Sequence, residues 1–280
     1  MNQGYVGGWR YDLDFEENRL QRLLSKLQSD DLVMSLTGSF EEVSLDPRAI
    51  MKVENQGQVG ACQGHSISSC CEWCYVIATG GQTEQLSRAY GYYESQRLDN
   101  ITGDRGSTVE AGIDLATKYG ICPESMWPYT GRYEPTRPRP IEELRAAAAQ
   151  YKIGSSTNLK SYDAIRTFLG GGMGAVHLGI TWNDSVNRAV VNNYSAAQGG
   201  GHSIGLYSLS DRKDAQGRPY IWMMNSWSPD WGAKGWAEWA PSAITQMLQS
   251  RYAVFIGVSD MPAVKPRKFS LEDWQKGLRI

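Results

Sequence analysis

Apolar residues recur at helical spacing in several stretches of the first half of the chain. Leu20, Leu23, Leu24 and Leu27 fall at i, i+3, i+4 and i+7 within the charged stretch 14–36 and predict a leader helix. The clearest pattern runs from Cys62 to Thr79. There Ile67, Cys70, Cys71, Cys74, Tyr75 and Ala78 share one face, and Gly80-Gly81 supplies the stop. Further helices are predicted at 86–96, at 108–118 before Gly120, and at 141–150 behind Pro140. A proline-rich run, Pro135 to Pro140, reads as a connector. After Tyr151 the texture changes. Ala175–Trp182, Ser203–Leu209 and Tyr220–Met224 read as strands between Gly-rich or polar turns. Helices first and strands second predict an α+β protein of two lobes.

Composition narrows the function classes. The 280 residues carry 28 Lys+Arg against 30 Asp+Glu, a formal charge of −2, which argues against binding nucleic acid by charge. A hydrophobic fraction of 41% excludes a disordered chain. Five cysteines are too few and too clustered for a disulfide scaffold. Residues 1–15 hold no apolar core of signal-peptide type, and no apolar run is long enough to cross a bilayer. The expectation is a reduced protein, cytoplasmic or released by lysis, with no membrane partner; virion association is left open.

Three places in the chain carry candidate chemistry. Cys62 follows the loop Asn55-Gln56-Gly57-Gln58-Val59-Gly60 and opens the best helix. Free N–H groups and the dipole at a helix N-terminus favour negative charge, so this placement predicts a lowered thiol pKa. His202 follows Gly199-Gly200-Gly201 at the start of an apolar strand, where glycines leave room beside an imidazole. Asn225 ends the next strand and could orient that imidazole by its side-chain amide. His65, one helical turn after Cys62, is a rival base without an orienting partner, and His177 reads as a strand residue. Cys70, Cys71 and Cys74 lack the second ligand pair that a zinc site needs, so they read as a packed helix face, and Cys122 reads as structural. No metal and no organic cofactor are expected.

The segment Gln56-Gly-Gln-Val-Gly-Ala-Cys62-Gln-Gly-His-Ser66 resembles the nucleophile motif of the papain-like cysteine peptidases. Gly201-His202-Ser-Ile-Gly-Leu-Tyr resembles that family's histidine motif. Tyr220-Ile-Trp-Met-Met-Asn225-Ser-Trp227-Ser-Pro-Asp-Trp231-Gly resembles its asparagine motif, and Gly120-Ile-Cys-Pro-Glu-Ser-Met-Trp-Pro-Tyr129 matches a further segment. Cys62 and His202 stand 140 residues apart, inside the range of about 130–150 for this arrangement. The resemblance covers about residues 43 to 262. It implies a helical lobe and an antiparallel, β-barrel-like lobe with a cleft between them. It implies Cys62 as nucleophile, His202 as base, Asn225 as its orienter, and Gln56 as an oxyanion donor beside the Cys62 amide. Gly106, Ser107, Gly201 and Trp227 would bind substrate, Gly106-Ser107 by pairing with its backbone, and Trp227 would also cover the His–Asn contact.

Departures from the family pattern are Val59 where a disulfide cysteine often stands, Gln63 and His65 where aromatics often stand, and Ser228 where glycine is usual. They resemble the bacterial and phage-type branch without the usual disulfides. The resemblance implies a cysteine-type hydrolase, an endopeptidase or related amidase acting on peptide or protein substrates. A catalytically silent binding or virion-structural protein, or a transpeptidase or isopeptide-cleaving enzyme using the same thioester, are the alternatives. The implied division is an extension at 1–40, lobes at about 41–150 and 151–262, and a polar tail at 263–280. The extension is shorter than usual inhibitory propeptides and is expected to be mainly a structural support.

Overall fold

The computed structural model describes residues 8–10, 45–196 and 199–259. The leader helix expected at 14–36 and the tail after 262 lie outside these residues. Among the described residues, seven α-helices precede and interrupt the strands of one seven-stranded sheet. The helices are α1 (Pro47–Ile50), α2 (Cys62–Thr79), α3 (Arg88–Leu98), α4 (Val109–Lys118), α5 (Ile141–Ala148), α6 (Tyr162–Gly170) and α7 (Pro241–Leu248). The strands are β1 (Ser155–Asn158), β2 (Gly174–Trp182), β3 (Val190–Val191), β4 (Gly200–Lys213), β5 (Pro219–Met224), β6 (Trp236–Trp239) and β7 (Val254–Ser259).

The helix α2 has the predicted bounds and ends on Gly80, which takes the left-handed φ of 71° while the Gly81 amide returns to the Val76 carbonyl. Its surroundings differ from the expected single apolar face. Polar and apolar residues alike are buried from Cys62 to Cys74, because α3 and α4 cover one side and the sheet the other. Small residues let α3 approach: a side-chain carbon on Gly64 would sit 2.5 Å from the Tyr92 nitrogen, and one on Gly91 2.5 Å from Ser68 Oγ. Ser87 caps α3 by accepting from the Tyr90 amide, and Thr108 caps α4 by accepting from the Ala111 amide.

Burying so much of α2 also buries a charge pair. Glu72 accepts from Arg88 Nη2 at 2.8 Å and from the Leu86 amide at 2.7 Å, and Arg88 Nη1 bonds both Glu72 and the Leu86 carbonyl. The Arg88 side chain is 1% exposed. Glu72→Gln would strand a guanidinium in the interior, a loss of about 3–5 kcal/mol. The expected result is a matching fall in the urea midpoint with an unchanged slope.

The sheet order is β1-β7-β2-β4-β5-β6-β3. Every pairing is antiparallel except β3 with β6, and β1 and β3 remain as edges. The β-rich lobe is therefore an open mixed sheet rather than the expected barrel-like closure. The two-residue β3 is too short to carry the pairing around to β1. One face packs on α2: Ala175 and Val254, Ile256 and Val258 join the core of the helical lobe. The opposite face packs on α6 and α7 through Val176, Leu178, Ile180, Ile204 and Leu206. The strand β2 is buried along its whole length, as a central strand covered on both faces must be. No helix among the described residues is long and apolar enough to cross a membrane.

Candidate active site

Cys62 is the first residue of α2 and lies against the main chain of Ser203, near the start of β4. The Gly loop before it is held from two sides. Gly60 donates to Asp104 Oδ1 at 2.9 Å, and Tyr129 Oη donates to the Gln56 carbonyl at 2.8 Å. Residues 54–56 also pair with 226–228: Gln56 N donates to Ser226 O at 2.8 Å and Ser228 N to Glu54 O at 3.2 Å. This pairing brings the end of β5 to the head of α2, and with it Asn225. Ser228 takes the left-handed φ of 69° where a glycine is usual in the resembling motif. Its hydroxyl accepts from the Asp230 amide at 3.1 Å, which helps hold the strained turn.

His202 Nε2 lies 2.9 Å from Asn225 Oδ1. The same oxygen accepts from the Ser226 amide at 2.8 Å. A backbone N–H can only donate, so the oxygen of the Asn225 amide faces His202, and His202 Nε2 carries the hydrogen. Trp227 stacks on the imidazole at 4.8 Å and 30°. Trp182, at the end of β2, meets the same ring edge-on at 4.8 Å and touches Trp227 at 5.2 Å. The imidazole is thus boxed by two indoles. Sequence reasoning singled out Trp227 but not Trp182. Its place is set by strand pairing, at the end of β2 opposite Gly200 of β4.

Gln56 is fully buried at the same place. Its Nε2 donates to the Val59 carbonyl at 2.9 Å, and its Oε1 accepts from Ser226 Oγ at 2.6 Å. Gln63, the residue after the nucleophile, reaches across to the cleft wall and accepts from Ser107 Oγ at 2.6 Å. It ties the nucleophile's helix to a predicted substrate-binding residue, a link invisible in the sequence. His65 does not stand as a second base: its Nδ1 lies 3.0 Å from the Ala61 carbonyl, and its ring meets Tyr129 edge-on at 4.6 Å. His177 is fully buried on β2 with Nδ1 2.8 Å from Ser66 Oγ. Cys74 Sγ contacts the Val258 carbonyl at 3.3 Å, and Cys70, Cys71 and Cys122 are buried. No cluster of three or more His, Cys, Asp or Glu able to hold a metal occurs among the described residues.

Gly8-Trp9-Arg10 lies in the cleft. Trp9 N donates to Gly201 O at 3.3 Å, Arg10 N to Ser107 O at 2.9 Å, and Ser107 N to Gly8 O at 2.9 Å. Trp9 runs parallel to Ser107. The segment touches Gly106, Ser107 and Gly201, three of the four positions predicted to bind substrate. The fit is tight: a side-chain carbon on Gly8 would fall 1.7 Å from Gly60 O, and one on Gly106 1.9 Å from Gly8 O. The Trp9 ring is 3% exposed and lies flush on Gly179. These three residues pack on the body, and the place they take is over the nucleophile.

The covering changes the electrostatics. Cys62 is fully buried, and burial pushes its thiol up to about 11. The main-chain amides of Ser203, Gly8, Gln63 and Trp9 favour the thiolate but do not offset that loss of water. The lowered thiol pKa expected from the helix N-terminus is therefore reversed in this closed arrangement. Burial likewise holds His202 down to about 4, against the raising effect of the Asn225 bond. With the cleft covered, thiol and imidazole are both neutral at pH 7.

Burial also lowers His65 to about 3, with Arg88 adding to it, and His177 to about 3. An unfolded histidine titrates near 6.5. Below that pH the unfolded chain binds protons that the folded chain refuses. Stability is complete above about pH 6.5 and is lost as the pH falls towards 4 and then 3. Three histidines acting together give a slope of up to about 4 kcal/mol per pH unit. The urea midpoint should fall sharply between pH 7 and pH 5, with as many as three protons taken up on unfolding; an unchanged midpoint would contradict the burial of these rings.

Residues 41–254 match the family model described as papain family cysteine protease. Peptidase 1 of Dermatophagoides pteronyssinus is 23% identical over 222 residues, which are 72% of this chain and 61% of that protein. The chain thus matches less than two thirds of the length of this curated relative. Among solved structures, xylellain, a cysteine protease from Xylella fastidiosa, superimposes with a TM-score of 0.64 at 19% identity, covering 79% of this chain and 90% of that one. Digestive procathepsin L 3 of Tenebrio molitor superimposes with a TM-score of 0.62 at 16% identity, covering 80% and 72%. The family match spans most of the chain and contains the helix-borne thiol and the His–Asn pair, and the chain belongs to the papain family of cysteine proteases.

Proposed function

We propose that this chain is a thiol endopeptidase or related amidase with Cys62 as nucleophile, and that Gly8-Trp9-Arg10 holds its site closed. One observation carries the reading: the groove beside Cys62 already binds an extended peptide by main-chain bonds to Ser107 and Gly201 on its two walls. A groove that reads backbone on both sides suits peptide substrates of varied sequence.

With the segment displaced, water and substrate reach the thiol, and its proton passes to His202. The thiolate attacks the substrate carbonyl carbon, and the negative oxygen is met by the Cys62 amide and the Gln56 side chain. The His202 imidazolium then protonates the leaving amine, the C–N bond breaks, and a thioester remains. Water attacks the thioester as His202 accepts its proton, releasing the acid and the thiol. Asn225 keeps the imidazole in the tautomer this sequence needs, and Trp227 and Trp182 exclude water from that bond. Residues 41–262 would form the catalytic unit, and five free cysteines suit a reducing compartment. A positional peptide library, read by mass spectrometry with the wild type, Trp9→Ala and Trp9→Ala/Cys62→Ala, tests the reading. Cleavage that rises in the second and vanishes in the third supports it. Absence of cleavage in all three would favour a silent binding protein.

A further inference from the structure

Against Asn225 lies a small cavity with room for about one water molecule. His65, Asn225, Ser66 and Ser69 line it, with Glu54 and Tyr207 as its other titratable neighbours. Two polar atoms of its wall have no hydrogen-bond partner among the described residues: His65 Nε2 and Asn225 Nδ2. Both residues are 2% exposed. Buried polar atoms left unpaired are costly. The two atoms are also complementary. A carbonyl only accepts, so the contact with Ala61 O puts the hydrogen of His65 on Nδ1 and leaves Nε2 an acceptor. The Ser226 amide fixes the oxygen of Asn225, which leaves Nδ2 a donor.

We propose that one buried water bridges Asn225 Nδ2 and His65 Nε2, and that His65 is a positioning residue for the catalytic pair. The water accepts from Asn225 and donates to His65, and the serine hydroxyls of the wall can take its remaining bonds. His202 Nε2–H and Ser226 N–H fix which way the Asn225 amide faces, because a flipped amide would present NH2 to two donors, and the bridge ties the opposite end of that amide to His65. His65 therefore acts on catalysis through Asn225, without touching substrate. The inference rests on the reading of His202 and Asn225 as catalytic partners. Arg88 and His202 act on His65 through space, and both are equally present in every variant used below.

The test uses the full chain carrying Trp9→Ala, so that turnover can be read. His65→Phe keeps a ring against Tyr129 and removes the acceptor; His65→Gln restores an acceptor. The expected result is a fall in kcat of about tenfold or more for His65→Phe at unchanged KM, a shifted acid limb of the kcat/KM profile, and substantial recovery in His65→Gln. In a double-mutant cycle, His65→Phe should cost little once Asn225→Ala is present. A wild-type kcat and pH profile for His65→Phe, or full additivity with Asn225→Ala, would overturn the proposal. A crystal structure of the unmutated chain gives a check that needs no variant: a water within hydrogen-bond distance of both atoms supports the bridge, and a dry cavity contradicts it. If Cys62→Ala still hydrolyses peptide, the catalytic reading itself fails, a result distinct from any obtained at His65.

Discussion

Trp9→Ala in the full chain should raise kcat/KM for peptide hydrolysis by about 100-fold or more. Trp9 is 3% exposed, and its ring fills a slot floored by Gly179. Truncating a buried tryptophan costs about 3–5 kcal/mol, and each 1.4 kcal/mol is tenfold in the balance between covered and open cleft. The increase stops once the cleft is open most of the time, so the upper end of that range sets a ceiling. Gly8→Val reaches the same end by a different route, because its side chain meets the Gly60 carbonyl, a backbone atom that cannot step aside. Both variants should also change the pH dependence of thiol alkylation. In the unmutated chain the thiol is held near 11 by burial, so the rate should keep climbing well above pH 8. In the open variants water returns, the helix N-terminus and a charged His202 favour the thiolate, and the rate should level off at lower pH. Unchanged hydrolysis and unchanged alkylation in both variants would mean that the segment does not control the cleft.

The second large effect concerns the thiol itself. In the Trp9→Ala background, Cys62→Ala should reduce kcat by at least about 10⁴-fold, since no other group in the site can form the acyl intermediate. His202→Ala should cost a similar factor, and the double variant should be hardly worse than either, because nucleophile and base act as one unit. Additive losses would place the two residues in separate roles.

The helix carrying Cys62 and the three long strands were legible in the sequence, since Gly80-Gly81 and the polar turns mark their ends sharply. The open sheet was not. β1, β3 and β6 are two to four residues long, too short for period-two patterning to declare itself. The helices α6 and α7 have start signals in the sequence at Ser161 and Pro241. Cys62, His202 and Asn225 could be placed from motif and spacing alone, and the structure brings His202 and Asn225 into contact beside the head of α2. Trp182, Gln63 and Trp9 could not be placed, because what they do depends on tertiary approach between distant segments. Gly8 beside Trp9 did carry a signal: a residue without a side chain next to a large ring is what a narrow slot admits.

The most direct measurement is the alkylation rate of each cysteine at pH 7, mapped by mass spectrometry, in the unmutated chain and in Trp9→Ala. All five cysteines are buried and free in the covered form, so all should react slowly in the unmutated chain. In Trp9→Ala, Cys62 alone should become fast, and peptide hydrolysis should be lost in proportion to its modification. A Cys62 that reacts no faster than Cys122 in Trp9→Ala, or hydrolysis that survives its complete alkylation, would contradict a catalytic thiol covered by the chain's own peptide.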